Sequence, residues 1–206
     1  MLVAIHQPNF IPPFPYFVKM AICDKFVILN HVKYSNENFQ NFQNIFGKKW
    51  TSPVVHEGHI PNIADKKYAT NRPLPWVNMA WIAAIAETLG IEVEKKLEED
   101  FPTDKIKTER LVEIIKHYKG DSYIANASAP DKYLDVAMLN ANGIEFVPLV
   151  CEEKRNVLEL FDTIGIKATI ELFNKTVEEF NACNVSRTKA SDGHSGTRAV
   201  ETLQAK

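Results

Sequence analysis

The chain has 206 residues, enough for one good core and a small subdomain, and its 45% apolar and 24% charged content suit an ordinary folded domain. Its 24 Lys and Arg against 26 Asp and Glu leave a net charge of −2, which argues against broad electrostatic binding of nucleic acid. No apolar run reaches the ~18 residues of a membrane span, and the start lacks the basic segment and long apolar run of a secretion signal, so a cytoplasmic protein is expected.

Leu2 to Ile5 read as a buried strand that ends in His6-Gln7. Pro8, Pro12, Pro13 and Pro15 then each fix φ and remove a backbone donor, so the chain leaves the strand through a stiff aromatic loop. Tyr16 to Cys23 suit a short helix, and Lys25 to Leu29, β-branched and aromatic, a second strand. Asn30 to Asn44 read as an ordered loop rich in Asn and Gln, with Tyr34, Phe39 and Phe42 interleaved. A strand at Trp50 to His56 and a turn at Glu57-Gly58 follow. Asn62 to Leu74 are polar and irregular; Trp76 to Leu89 have helical character, with Gly90 as the stop.

Glu92 to Leu97 are assigned to a strand. Leu111, Val112, Ile114 and Ile115 make Thr108 to Tyr118 an amphipathic helix that Gly120 can end. Ser122 to Ala125 form a strand, Asp131 to Asn140 a helix stopped by Asn142-Gly143, and Ile144 to Val150 a final buried strand. Val157 to Ile164 and Lys167 to Phe180 are helical. The alternation predicts an α/β fold: a layered, Rossmann-like domain with a mostly parallel sheet over residues 1–182. Residues 30–75 form an irregular capping insertion, and residues 183–206 a polar C-terminal extension.

His6 and Gln7 stand at the end of the first strand, where open α/β sheets bind ligands. A neutral imidazole at His6 could take the proton of an attacking amine, and Gln7 offers a donor and an acceptor for a carbonyl or hydroxyl. Bracing of the loop explains both equally well. Asp24 could orient a histidine or bind an amine, with a turn or cap as the plainer role. Lys33, beside His31 at the end of the second strand, could neutralise a phosphate, or lie solvated on the surface. His56-Glu57-Gly58-His59 looks like the HxGH signature of nucleotidyltransferases, but Ile60-Pro61-Asn62 follow it and a β-turn explains it. The paired histidines lack a third ligand, and Cys23, Cys151 and Cys183 are scattered without CxxC spacing, so no metal site is expected. A dinucleotide fingerprint, a Walker A loop and a serine nucleophile elbow are all missing from the sequence, so no cofactor is expected.

Four segments resemble the WbqC-like family of bacterial proteins, often associated with sugar modification and O-antigen synthesis. They are AIHQPNFIPPFPYFVKMAICDKFVILNHV, FQNFQNI, TERLVEIIKHYKGDSYIANASAPDKYLD and VLELFDTIG. The first and third together are specific. The chain departs from the family pattern at several polar positions. Asn30 and His31 replace two acidic residues, and Lys33 replaces a glutamine. Phe42 and Gln43 replace the Arg and Asn of an Asn-Arg-Asn core, and Ala125-Asn126 replace Ser-Gly.

The resemblance implies transfer of an acyl or aminoacyl group, glycyl among them, onto an amino sugar or related small amine. The partners implied are that amine or a sugar nucleotide and an activated acyl donor, free or held by a carrier protein or tRNA. The resemblance adds Asn41, Arg110, Tyr133 and Asp135 as substrate-binding candidates. Asn41 falls in an amide and aromatic cluster suited to a sugar. Arg110, at a helix start, suits a phosphate or carboxylate, and a structural ion pair is its plainer role. Two alternatives stand beside the transferase: an ATP-dependent amide ligase of nucleotidyltransferase-like fold, and a non-catalytic scaffold of the same pathway.

Overall fold

A strand buried on both faces must be apolar at successive positions, and Leu2–His6 (β1, LVAIH) and Lys25–Ile28 (β2, KFVI) meet that condition. The structure, a computed structural model, describes residues 1–9, 11–29, 31 and 74–192. The expected strand at Trp50 to His56, the His56 to His59 motif, and Lys33 and Asn41 lie outside the described residues.

Leu97–Glu99 (β3), Ser122–Asn126 (β4) and Glu145–Leu149 (β5) complete a five-stranded sheet of order β3-β2-β1-β4-β5. All four pairings are parallel, with His6 opposite Ile28 and Val3 opposite both Lys25 and Tyr123. This is the expected α/β fold. The chain steps outward from β1 through β2 to β3, then returns across β1 to place β4 and β5 on its other side. The order therefore reverses between β1 and β4, and the carboxyl ends of those two strands form a topological switch point.

The period of two divides the strands between two layers. Ala4, Phe26, Ile28 and Ile124 face one core, with Phe14, Phe17 and Met20 of α1 (Phe14–Ile22) and Trp81, Ile82 and Ile85 of α2 (Leu74–Thr88). Val3, Ile5, Val27 and Tyr123 face the other, with Leu111, Ile114 and Ile115 of α4 (Lys107–His117). The helices are close to expectation because their apolar spacing is regular. Pro15 sits in the first turn of α1, where its missing N–H does no harm, and Gly90 takes φ 76° just past α2.

Gly120 does not provide the left-handed stop of α4. Lys119 takes φ 58° instead, and the Gly120 N–H closes the turn onto the Ile115 carbonyl at 2.8 Å. Glycine is needed there for space, since a Cβ would lie 2.6 Å from Val3 Cγ2.

Three assignments shift. Most of Glu92 to Leu97 is a single helical turn, α3 (Val93–Lys96), and the strand comes after it. The charged run suits a strand that is paired on one side only among the described residues, with Lys25 of β2 bridging to Glu98. The helix expected from Asp131 starts later, as α5 (Val136–Ala141), because the Asp135 carboxylate accepts the Met138 N–H at 2.9 Å and so caps it. The last strand is an edge rather than fully buried, and Val150 beyond it is 77% exposed. Val157–Ile164 forms α6, and α7 runs over Ile166–Asp192, so Cys183 lies within it. Among the described residues no helix is long and apolar enough to cross a membrane.

Candidate functional site

His6 closes β1 and Asn126 closes β4, so both stand at the carboxyl edge of the sheet, on either side of the switch point. A third group joins them from α1. Lys19 is the only Lys, Arg, Asp or Glu before Asp24. Helical side chains tilt toward their helix's N-terminus, so Lys19 reaches back from the second turn of α1 to the sheet's carboxyl edge. Its Nζ lies 2.5 Å from His6 Nε2 and donates to Asn126 Oδ1 at 3.1 Å.

The pair sits among aromatic rings. The His6 ring tilts against Tyr16 at 4.7 Å between centroids and stacks on Phe26 at 5.9 Å. Lys19 is only 2% exposed, whereas His6 keeps partial exposure, so the pair is accessible from the imidazole side. Burial lowers the Lys19 pKa to about 7, against a smaller opposing pull from Cys151 and Cys23. Burial, and then the charge on Lys19, hold His6 well below its ordinary value. At neutral pH the imidazole is therefore uncharged, and the lysine exchanges between ammonium and free amine.

An ammonium has three N–H donors. Among the described residues Lys19 has two partners and no carboxylate within ion-pair range. Nζ thus has a third tetrahedral vertex without a hydrogen-bond partner among the described residues. The proline loop over the site is tied down at several points. The Gln7 carbonyl accepts the Asn9 N–H at 2.8 Å and the Tyr16 hydroxyl at 3.4 Å, and the Pro8 carbonyl accepts from Asn78 Nδ2 at 2.6 Å. Asn9 Oδ1 and Asn78 Oδ1 are buried acceptors without a hydrogen bond.

The other expected residues are distributed differently. Gln7 adjoins His6. Asp24 stands at the opposite end of the sheet, about 13 Å away along β1, where its carboxylate accepts the Leu2 N–H at 2.7 Å. That position gives it a role in fixing β1, not one in the switch-point crevice. Arg110 begins α4, on the other face of the sheet from α1. Its Nη2 bonds Asp100 Oδ2, while Asp100 Oδ1 accepts from the His31 backbone N–H at 3.1 Å and lies 3.0 Å from His31 Nδ1. The Asp100 carboxylate is fully buried, so Arg110 takes the ion-pair role.

Asp135 is spent on capping α5, and its own N–H donates to Thr108 Oγ1 at 2.9 Å. Tyr133 is 48% exposed, and its hydroxyl lies beside that of buried Tyr123. These residues tie the start of α4 to that of α5. Two surface hollows, one lined by Leu89, Lys96 and Phe173 and the other by Glu109, Val112 and Met138, include neither His6 nor Lys19.

Lys19 and Asn126 are the functional candidates that sequence reasoning missed. The available signal was the lone charge inside an otherwise apolar helix. Asn126, which stands where the resembled pattern has glycine, adds a polar group to the crevice.

No curated protein and no solved structure matches the chain. The sequence profile of the WbqC-like protein family matches residues 7–74 and 59–155, a span that begins one residue after His6 and covers the proline loop, α1 with Lys19, the Asp100–Arg110 cluster and β4. The chain belongs to the WbqC-like protein family.

Proposed function

We propose that this chain is an acyl or aminoacyl transferase that builds an amide on an amino sugar or related small amine, in surface-polysaccharide or natural-product synthesis. Glycyl is among the groups transferred. The observation that carries this reading is the neutral imidazole at the switch point: His6 is partly accessible, held uncharged by burial, and backed by Lys19 at 2.5 Å.

An amine nucleophile must lose a proton as it attacks an activated carbonyl. An uncharged imidazole within reach takes that proton, and general-base help of this kind contributes about 10²–10⁴-fold. Lys19 orients the ring and keeps it from charging prematurely. The Gln7 amide is adjacent to hold the carbonyl or a sugar hydroxyl. The donor arrives already activated, so the reaction as proposed uses neither metal nor ATP. Asn126 strengthens the enzymatic reading over a scaffold role, because this chain's departure from the family pattern adds a hydrogen-bonding group to the crevice.

The test is amide formation, followed by mass spectrometry. Acetyl-CoA and a glycyl thioester serve as donors, and UDP-glucosamine as acceptor. Product is expected without ATP, with His6→Ala lowering its rate about 10²-fold or more in a folded protein. Equal rates for His6→Ala and the parent would remove the imidazole from the mechanism. Product only with ATP and a free amino acid would replace the transferase by a ligase.

A further inference from the structure

We propose that the Lys19 amine is a carbonyl-capturing nucleophile, so that the switch-point crevice binds a small aldehyde or 2-oxo acid covalently as an imine. A lysine that captures a carbonyl needs an uncharged amine, a direction from which the carbon can approach, and a neighbour that moves protons. Lys19 has no carboxylate partner among the described residues to hold it as an ammonium. Two of the three non-covalent vertices of Nζ are taken, by His6 Nε2 at 2.5 Å and Asn126 Oδ1 at 3.1 Å, the third has no hydrogen-bond partner among the described residues, and the approach to Nζ is from the side of partly exposed His6 and exposed Asn126. The partly exposed His6 ring is the proton carrier. The lowered basicity of Lys19 fits this geometry and is the usual route to a reactive lysine.

The step balances without an oxidant or reductant. The Nζ lone pair forms a bond to the carbonyl carbon, and the proton released from nitrogen passes through the imidazole to the carbonyl oxygen, giving a carbinolamine. The second proton on nitrogen then passes through the imidazole to that hydroxyl, which leaves as water, and a neutral C=N bond remains. The Asn126 oxygen holds the remaining N–H during the addition. None of this depends on the acyl-transfer reading, because capture needs no acyl donor.

The experiment uses the full chain with glyoxylate and sodium cyanoborohydride near pH 7.5, followed by trypsin and mass spectrometry over a time course. Reduction of the imine leaves carboxymethyl-Lys19, which blocks cleavage and joins the peptides on either side of it. Exposed Lys132 and Lys175 of the same molecules are the internal comparison. An ordinary lysine is uncharged in only about one part in 10³ at this pH, so Lys19 is expected to react at least about tenfold faster than either. His6→Phe should slow Lys19 while leaving the surface lysines unchanged. Surface lysines reacting first, with Lys19 modified only after unfolding in urea, would overturn the proposal.

Discussion

Replacing Lys19 by methionine tests whether the lysine is held against its preference. The two side chains are unbranched and similar in length, and α1 surrounds this position with Phe14, Tyr16, Phe17, Val18 and Met20, all buried. The Lys19 pKa falls from 10.5 to about 7 on folding. At about 1.4 kcal/mol per pH unit, the folded state then loses roughly 5 kcal/mol in acid relative to strong base.

The unfolded chain binds the extra proton between these two values, so the penalty is full below pH 7 and relieved as pH rises toward 10.5. Near pH 7 about 4 kcal/mol of it remains. Methionine removes that penalty but strips His6 Nε2 and Asn126 Oδ1 of a partner, which costs about 1–3 kcal/mol. Lys19→Met is therefore expected to be more stable than the parent by roughly 1–3 kcal/mol near neutrality.

Urea unfolding followed by tryptophan fluorescence, with buried Trp81 among the three tryptophans as the reporter within the core, gives both stabilities. Between pH 7 and pH 9 the difference between the two proteins should shrink by about 2 kcal/mol, as the parent recovers and the variant does not. His6 loses the influence of Lys19 in the variant, but burial, the larger cause, keeps its titration below this pH range in both proteins, and groups remote from Lys19 cancel. Parallel stability curves across this range would refute the depressed lysine, and with it the free amine on which carbonyl capture depends.

Two further perturbations probe the frame that positions the site. Asp100→Ala leaves Arg110, only 12% exposed, without its carboxylate, and should cost about 3–5 kcal/mol in urea unfolding; an unchanged midpoint would show that the pair is not a structural anchor. Gly120→Ala brings a Cβ to 2.6 Å from Val3 Cγ2 and 2.8 Å from Ile115 Cγ2. Both methyls belong to buried β-branched side chains with little rotamer freedom, so a loss of about 1–3 kcal/mol is expected from overpacking, and wild-type stability would mean that β1 and α4 can separate there.

The elements legible in the sequence were those whose burial imposes a pattern. β1 and β2 read as apolar runs because both faces of the sheet are covered, and α4 read as a helix because one stripe packs on Val3, Ile5 and Val27. β3 was misplaced because an edge strand is excused from that rule. Its charged residues looked like surface, and the Lys25–Glu98 pairing that holds it spans 73 residues of sequence. The late start of α5 was hidden by Pro130 and by a cap that Asp135 forms only once the turn before it is in place.

His6 was legible because a strand end and a proline loop are local features. Lys19 was not, since its significance rests on Asn126, 107 residues away, and on a crossover that returns β4 beside β1. Asp24 shows the opposite error. A loop position between a helix and a strand is compatible with either edge of the sheet, and only the topology assigns it to the wrong one for binding.

The two charged clusters at the carboxyl edge of the sheet separate structure from chemistry. In the Asp100–Arg110 cluster a fully buried carboxylate meets a guanidinium, so the two charges answer each other. Removing either partner is costly, and neither has a reason to react. In the Lys19 cluster the buried cation is bonded, among the described residues, to an uncharged imidazole and an amide and to no carboxylate. Neither can neutralise it, so the amine relieves its burial by giving up the proton. Packing alone does not explain that choice, because methionine would fill the position without a charge to desolvate. The same desolvation that weakens the fold makes the nitrogen lone pair available at neutral pH. A reactive amine beside a proton-carrying ring, placed where the strand order reverses, is what carbonyl chemistry requires. The compensated cluster nearby is built on an ion pair and holds no such amine, which is why the proposed chemistry is placed at His6 and Lys19 and the scaffolding at Arg110.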